Sequence, residues 1–257
     1  MIGIILVATV AAVAGIVQST PPGQAVIPRS YLPAVMRSWK AELINSSFEG
    51  GQWQAARWWI WPWHDAYTMQ FNEVRPPEGW VAWWVERMFC PRYQDYKTGR
   101  PEVTLADLST GFPDPLRVAD GDKAVKWFTF WRCHYGGLYQ VLDVSPGRYR
   151  VSVLAHSWYT DCSSRLHDPP YAADCRTRLD DHAWISVGLD PMGGEAYWSD
   201  TIQWSDRVGQ YGRYGERIVS SVVETTGPLT IWIRSETEAP LKHDDLYLDG
   251  IRLERLP

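Results

Sequence analysis

The chain has 257 residues and sets 25 Lys and Arg against 30 Asp and Glu, a formal charge of −5. That balance excludes the basic footprint of a nucleic-acid-binding protein, and 18 Pro with 20 Gly exclude a coiled coil. Sixteen Trp in one chain mean that indole rings fill a core, are displayed to a ligand, or do both.

Residues 2–17 carry no charged or polar side chain except Thr9. As a helix this run of about 16 residues would reach roughly 24 Å, against a hydrocarbon core of about 30 Å. It is long for the apolar part of a signal peptide and short for a membrane span. The first basic residue is Arg29, so the usual basic start is missing, while Ala12-Val13-Ala14 offers a small-residue cleavage site. The expectation is export to a secreted or cell-surface location. Residues 1–17 then form a signal peptide or N-terminal membrane anchor, 18–40 a linker and 41–257 one folded domain. The alternatives are a buried N-terminal element and a retained, pilin-like segment that packs against neighbouring subunits.

Beyond residue 40 the chain reads as all-β. Apolar and polar residues alternate over 148–157, 183–189 and 229–235, and in the last of these Leu229, Ile231 and Ile233 share a face opposite Thr230, Trp232 and Arg234. Further strands are expected at 41–48, 80–85, 124–131, 137–141, 217–224 and 246–253. About nine strands with Gly/Pro turns and no strong amphipathic helix predict a β-sandwich. The connections 51–79, 86–123 and 159–181 are long and rich in aromatic residues and cysteine, which marks them as ordered and functional. Four cysteines allow three pairings. Cys162 and Cys175 flank one loop and close it locally, which leaves Cys90 with Cys133; free buried thiols are the alternative.

Asn45-Ser46-Ser47-Phe48-Glu49-Gly50-Gly51, the pair Gly79-Trp80, Gly137-Leu138-Tyr139-Gln140, Ser145-Pro146-Gly147 before Tyr149, and Tyr247-Leu248-Asp249-Gly250-Ile251-Arg252-Leu253 follow one another in order. This series resembles carbohydrate-binding modules of the galactose-binding-like, jelly-roll β-sandwich fold, of bacterial extracellular type, across about residues 45–253. The resemblance implies an all-β jelly-roll sandwich with long disulfide-tied loops, preceded here by the apolar segment. It also implies a structural calcium ion where the first and last strands meet, with Glu49 and Asp249 as matching carboxylates. Gly250 stands where the family often has a second Asp.

Two groups are candidate ligand sites. Trp59, Trp61 and Trp63 alternate within an aromatic run, and indole faces stack on the apolar faces of sugar rings. Arg132, His134, Gln140, Lys242, His243 and Asp245 lie near strand ends, where loops at one edge of a sandwich would gather them to bind hydroxyls or carboxylates. The six histidines show no metal-ligand spacing, and there is no Gly-x-Ser-x-Gly elbow or phosphate loop. The expected function is non-catalytic recognition of a polysaccharide or surface glycan by Trp stacking and polar edge contacts. The alternatives are a structural subunit of a surface layer, pilus or filament that self-assembles through its N-terminus, and a small glycosidase or lyase with a carboxylate pair.

Overall fold

A computed structural model describes residues 43–51, 53–60, 67–110, 117–160 and 182–257. Two antiparallel sheets pack face to face as a jelly-roll sandwich. The strands are β1 (Ala56–Ile60), β2 (Tyr67–Phe71), β3 (Val81–Trp84), β4 (Glu102–Asp107), β5 (Lys123–Thr129), β6 (Tyr135–Asp143) and β7 (Gly147–Thr160). They continue as β8 (Ala183–Asp190), β9 (Gln203–Trp204), β10 (Ile218–Val219), β11 (Val223–Thr225), β12 (Pro228–Thr237) and β13 (His243–Leu256). One sheet runs β10-β7-β13-β5-β4, with β11 also on β7; the other runs β3-β6-β12-β8-β9; β1 and β2 form a separate hairpin. The chain passes from sheet to sheet at β5–β6, β6–β7, β7–β8 and β12–β13, so the connecting loops collect at the two ends of the sandwich.

The alternation read from sequence sets the core. Leu229, Ile231 and Ile233 on β12, Ile185, Val187 and Leu189 on β8, and Leu138 and Leu142 on β6 point inward. They meet Val125, Trp127, Val153, Ala155, Leu246 and Leu248 from the other sheet in one contiguous apolar layer. Trp127 is fully buried there; truncating such a side chain costs about 3–5 kcal/mol. Trp83, Trp84 and Trp127 lie within strands, as expected over 80–85 and 124–131, and are buried. Trp83 stacks on Tyr197 with ring centroids 4.8 Å apart, and Tyr139 on Trp232 at 4.6 Å, in a second apolar cluster on the outer face of the five-stranded sheet. Among described Trp side chains only Trp131 and Trp198 are exposed.

Three expectations need correction. Residues 43–48 form turns rather than a strand. Asn45 closes the segment on itself: its side-chain amide donates to Gly50 O and its side-chain oxygen accepts from Gly50 N, a local alternative to a sheet ladder. The expected strand 217–224 is two short strands, parted at Ser220, whose amide donates to Val151 O and whose hydroxyl accepts from Val151 N. β4 falls inside the connection 86–123, where no strand is expected, and the β1–β2 hairpin falls inside 51–79, with β1 taking in the start of the alternating Trp run. Cys90 and Cys133 are disulfide-bonded, as expected. Cys162, Cys175 and residues 1–40 lie outside the described residues. Among the described residues no helix is long and apolar enough to cross a membrane.

Candidate functional site

The polar group expected at one edge divides in two. Gln140 points into the opposite part of the sandwich, where its amide accepts from Ile44 N at 2.8 Å and donates to Ile44 O and Gly79 O, both at 3.1 Å. It fastens the 43–48 turn to Gly79. Asp245 is 3% exposed on the outer face of the six-stranded sheet, paired with Lys126 at 3.0 Å and accepting from the Tyr247 hydroxyl at 3.1 Å. His134 is 1% exposed. Arg132, Lys242 and His243 do stand at one end of the sandwich, on the 130–134 loop and at the start of β13, but His243 is buried against Phe130 and Trp158. The side chain of Trp59, and all of Trp61 and Trp63, lie outside the described residues.

That end is built from the loops 85–101, 130–134 and 238–242. The disulfide joins the first two across a sequence separation of 43. Backbone bonds add to it: Gly99 N donates to Cys133 O at 3.0 Å, Arg92 N to Glu238 O at 3.1 Å, and Cys90 N to Tyr96 O at 3.0 Å. Gly99 serves the packing directly, because a Cβ there would come within 2.5 Å of Arg132 Cδ. The missing side chain lets the Arg132 stem lie across the loop.

Trp131 is the most distinctive residue of this end. Its φ is 52°, in the left-handed region that non-glycine residues avoid, and its ring is 57% exposed. Its amide donates to Leu241 O at 2.7 Å. Leu241 N in turn donates to the Asp244 carboxylate at 3.2 Å, and the other oxygen of Asp244 meets His182 Nε2 at 2.5 Å. Both members of that pair are fully buried, and burial pushes the Asp244 carboxyl up to about 6, against the lowering pull of His182. A buried polar floor thus holds the loop that holds the indole. Phe130, beside Trp131, is 43% exposed and presents its ring edge to His243 at 4.8 Å. Phe89, Tyr93 and Tyr96 are likewise exposed on the disulfide-tied loop.

His134 positions this loop rather than facing ligand. The Thr129 hydroxyl donates to Arg132 O at 2.6 Å, so its proton is committed. His134 Nδ1, 3.2 Å from the same oxygen, must then be the donor, and Nε2 accepts from the Ser235 hydroxyl at 2.7 Å. The ring is neutral and satisfied on both sides. Burial pushes its pKa down to about 3, with His182 adding to the effect.

The expected calcium ligands do not fit a calcium ion in this arrangement. Glu49 Oε1 accepts from Asp122 N and Lys123 N; Asp249 Oδ2 accepts from Ala119 N and Asp120 N, and Oδ1 from Gly250 N. The Lys123 ammonium donates to Glu49 O at 3.0 Å, and the Arg217 guanidinium donates to Gly250 O. Calcium takes about 6–8 oxygens, and here Glu49 Oε1 and both carboxylate oxygens of Asp249 already accept from backbone amides. Among the described residues no three His, Cys, Asp or Glu side chains gather as a metal site. Gly250, with φ of 48°, sits in the β-bulge between Asp249 and Arg252, a backbone conformation that explains glycine at this position.

No protein-family model matches the chain, and no curated protein matches it. Solved structures do. TmCBM61, solved in complex with β-1,4-galactotriose, is similar at 14% identity and a TM-score of 0.44, over 85% of this chain and 100% of that one. The CBM22-1–GH10 modules of Clostridium thermocellum xylanase 10B, complexed with xylohexaose, are similar at 13% identity and a TM-score of 0.34; the match covers 70% of this chain and 26% of that one. A cyclase from Fischerella sp. TAU, in complex with 4-(1H-indol-3-yl)butan-2-one, is similar at 13% identity and a TM-score of 0.39, over 86% of this chain and 98% of that one.

Proposed function

We propose that the domain is a non-catalytic glycan-binding module whose binding surface is the disulfide-tied loop end. One observation carries the reading: Trp131 holds a largely exposed indole on a left-handed backbone, fixed by Leu241 O. Exposure of a large apolar ring and a strained backbone both cost free energy. A protein that keeps them together, braced by a disulfide and a buried polar pair, has a use for the ring. A flat indole offers stacking area to the C–H face of a sugar, and Arg132 and Lys242 on the same loops supply hydrogen bonds to hydroxyls.

The β1–β2 hairpin carries Trp59 and leads to Trp61 and Trp63, which the proposal keeps as a second group of stacking rings. Export fits the same picture. The buried Cys90–Cys133 disulfide persists in an oxidising compartment, and residues 1–17 supply the export signal or anchor.

The test is a glycan array probed with the full-length chain and with Trp131→Ala. Binding to a defined set of glycans, weakened in the variant, supports the proposal. Failure to bind any glycan, with the variant folded and indistinguishable from wild type, contradicts it.

A further inference from the structure

The loop end is cationic in a chain that is acidic overall. Arg87, Lys97, Arg132 and Lys242 stand on its three loops, and among the described residues none of them has a carboxylate partner. The acids of the same loops are mostly spent. Glu238 is engaged by Arg92 at 2.7 Å and by Arg207 at 3.0 Å. Glu86 accepts from Trp84 Nε1 and lies 4.0 Å from Arg100. Asp244 is buried on His182. Asp95 is exposed on the first loop and is the acid that opposes the four cations.

The placement of two of these cations is built. The bond from Trp131 N to Leu241 O sets the two segments side by side at the end of the antiparallel β5–β13 pair, and Arg132 and Lys242 each follow one of its two residues in the chain. The Arg132 stem is laid over Gly99, and its carbonyl is tied by the Thr129 hydroxyl. Arg87, like Trp131, has a positive φ, 65°, with its amide donating to Thr98 O at 2.9 Å.

Resting on the glycan-binding reading above, we infer that the ligand is an acidic polysaccharide, one whose sugar rings bear carboxylates. The ring stacks on Trp131 while the carboxylate meets the Arg132 guanidinium fork and the Lys242 ammonium. A neutral glycan would leave these cations solvated and give them nothing to select. A nucleic acid would also take stacking and cations, and its binding is therefore one outcome of the test.

The experiment measures binding of the full-length chain to polygalacturonate, alginate and hyaluronan, each beside its carboxyl-reduced neutral counterpart, and to single-stranded DNA. At least one acidic polymer is expected to bind about tenfold or more tighter than its reduced form, a preference that falls as salt is raised. Arg132→Gln and Lys242→Gln abolish that preference, lowering affinity for the acidic polymer more than for its reduced form, whereas Trp131→Ala weakens both alike. If no acidic polymer outcompetes its reduced form while neutral glycans still bind, the inference is overturned and the stacking reading stands. If no glycan binds at all, the stacking reading falls with it. DNA binding tighter than any polysaccharide overturns both.

Discussion

The amide of Trp131 and the carbonyl of Leu241, 110 positions apart in the chain, meet at 2.7 Å, and this bond joins the exposed indole to a fully buried polar pair, His182 and Asp244. Leu241 N donates to Asp244, and Asp244 is held by His182. The proposed binding surface and the buried polar pair beneath it are therefore joined by a chain of hydrogen bonds. A loop that would otherwise sample many conformations is held in one, which lowers the ordering cost of binding.

The floor of the site should be intolerant of partial removal. Asp244→Ala leaves His182 and Leu241 N buried without their acceptor, and the loss of one member of a buried pair costs about 3–5 kcal/mol. Urea unfolding should show that loss. An exposed ion pair on the same domain, Arg150–Glu254, joins residues that are both more than 40% exposed. Arg150→Ala should shift stability by less than about 1 kcal/mol.

His134 predicts a pH dependence of known sign. Unfolded, it takes a proton below its ordinary value of 6.5; folded, burial keeps it neutral down to about pH 3. The unfolded state binds more protons in that window, so the contribution to stability is full above 6.5 and is lost as pH falls toward 3. Asp244 and Asp249, each raised to about 6, act in the opposite direction and are common to wild type and variant. The stability difference between wild type and His134→Gln should therefore shrink from pH 7 to pH 3, by an amount on the order of 4 kcal/mol at most. A difference that is flat with pH contradicts the neutral, buried assignment.

Reducing the disulfide should affect stability and binding together. A cross-link over 43 residues constrains the unfolded chain by about 4 kcal/mol in the chain-entropy account. Replacing both Cys90 and Cys133 with Ser should lower the melting temperature and weaken glycan binding, because both sides of the loop pair carry the site. Unchanged binding in the destabilised variant would move the site elsewhere.

The junction of Glu49 and Asp249 should not respond to calcium. Excess calcium and a strong chelator should leave the melting temperature within error of each other. Lys123→Met, which removes the ammonium donated to Glu49 O, should lower it. A rise in melting temperature with calcium would show that the amide donors yield to the ion.

The sandwich was legible in sequence wherever period two alone decides orientation. Leu229, Ile231 and Ile233 turn inward because a strand leaves them no other face, and no knowledge of partners is needed. β4 is short and lies inside a long connection: Glu102, Val103, Thr104 and Leu105 alternate over only four residues before Ala106 and Asp107 end the pattern. The 43–48 turn was misread because the pattern of Asn45 to Phe48 does not show that Asn45 will bond Gly50. Glu49 and Asp249, expected to share a calcium ion, both meet the loop 119–123, but what they bind there are amides, and backbone donors leave no mark on composition. Trp131 was one of many Trp beside a loop. Its positive φ and its distant acceptor follow from tertiary contacts, and the residues Phe130-Trp131-Arg132 next to Cys133 were the one local hint.

The account rests on Trp131 as the stacking ring, and titration calorimetry of the full-length chain with the best array glycan tests this most directly. Trp131→Ala should weaken binding at least about tenfold, the scale of one lost aromatic contact, while Trp198→Ala, which removes the other exposed indole of the described residues, leaves affinity unchanged. Equal affinity of wild type and Trp131→Ala, with both proteins folded, would contradict the account.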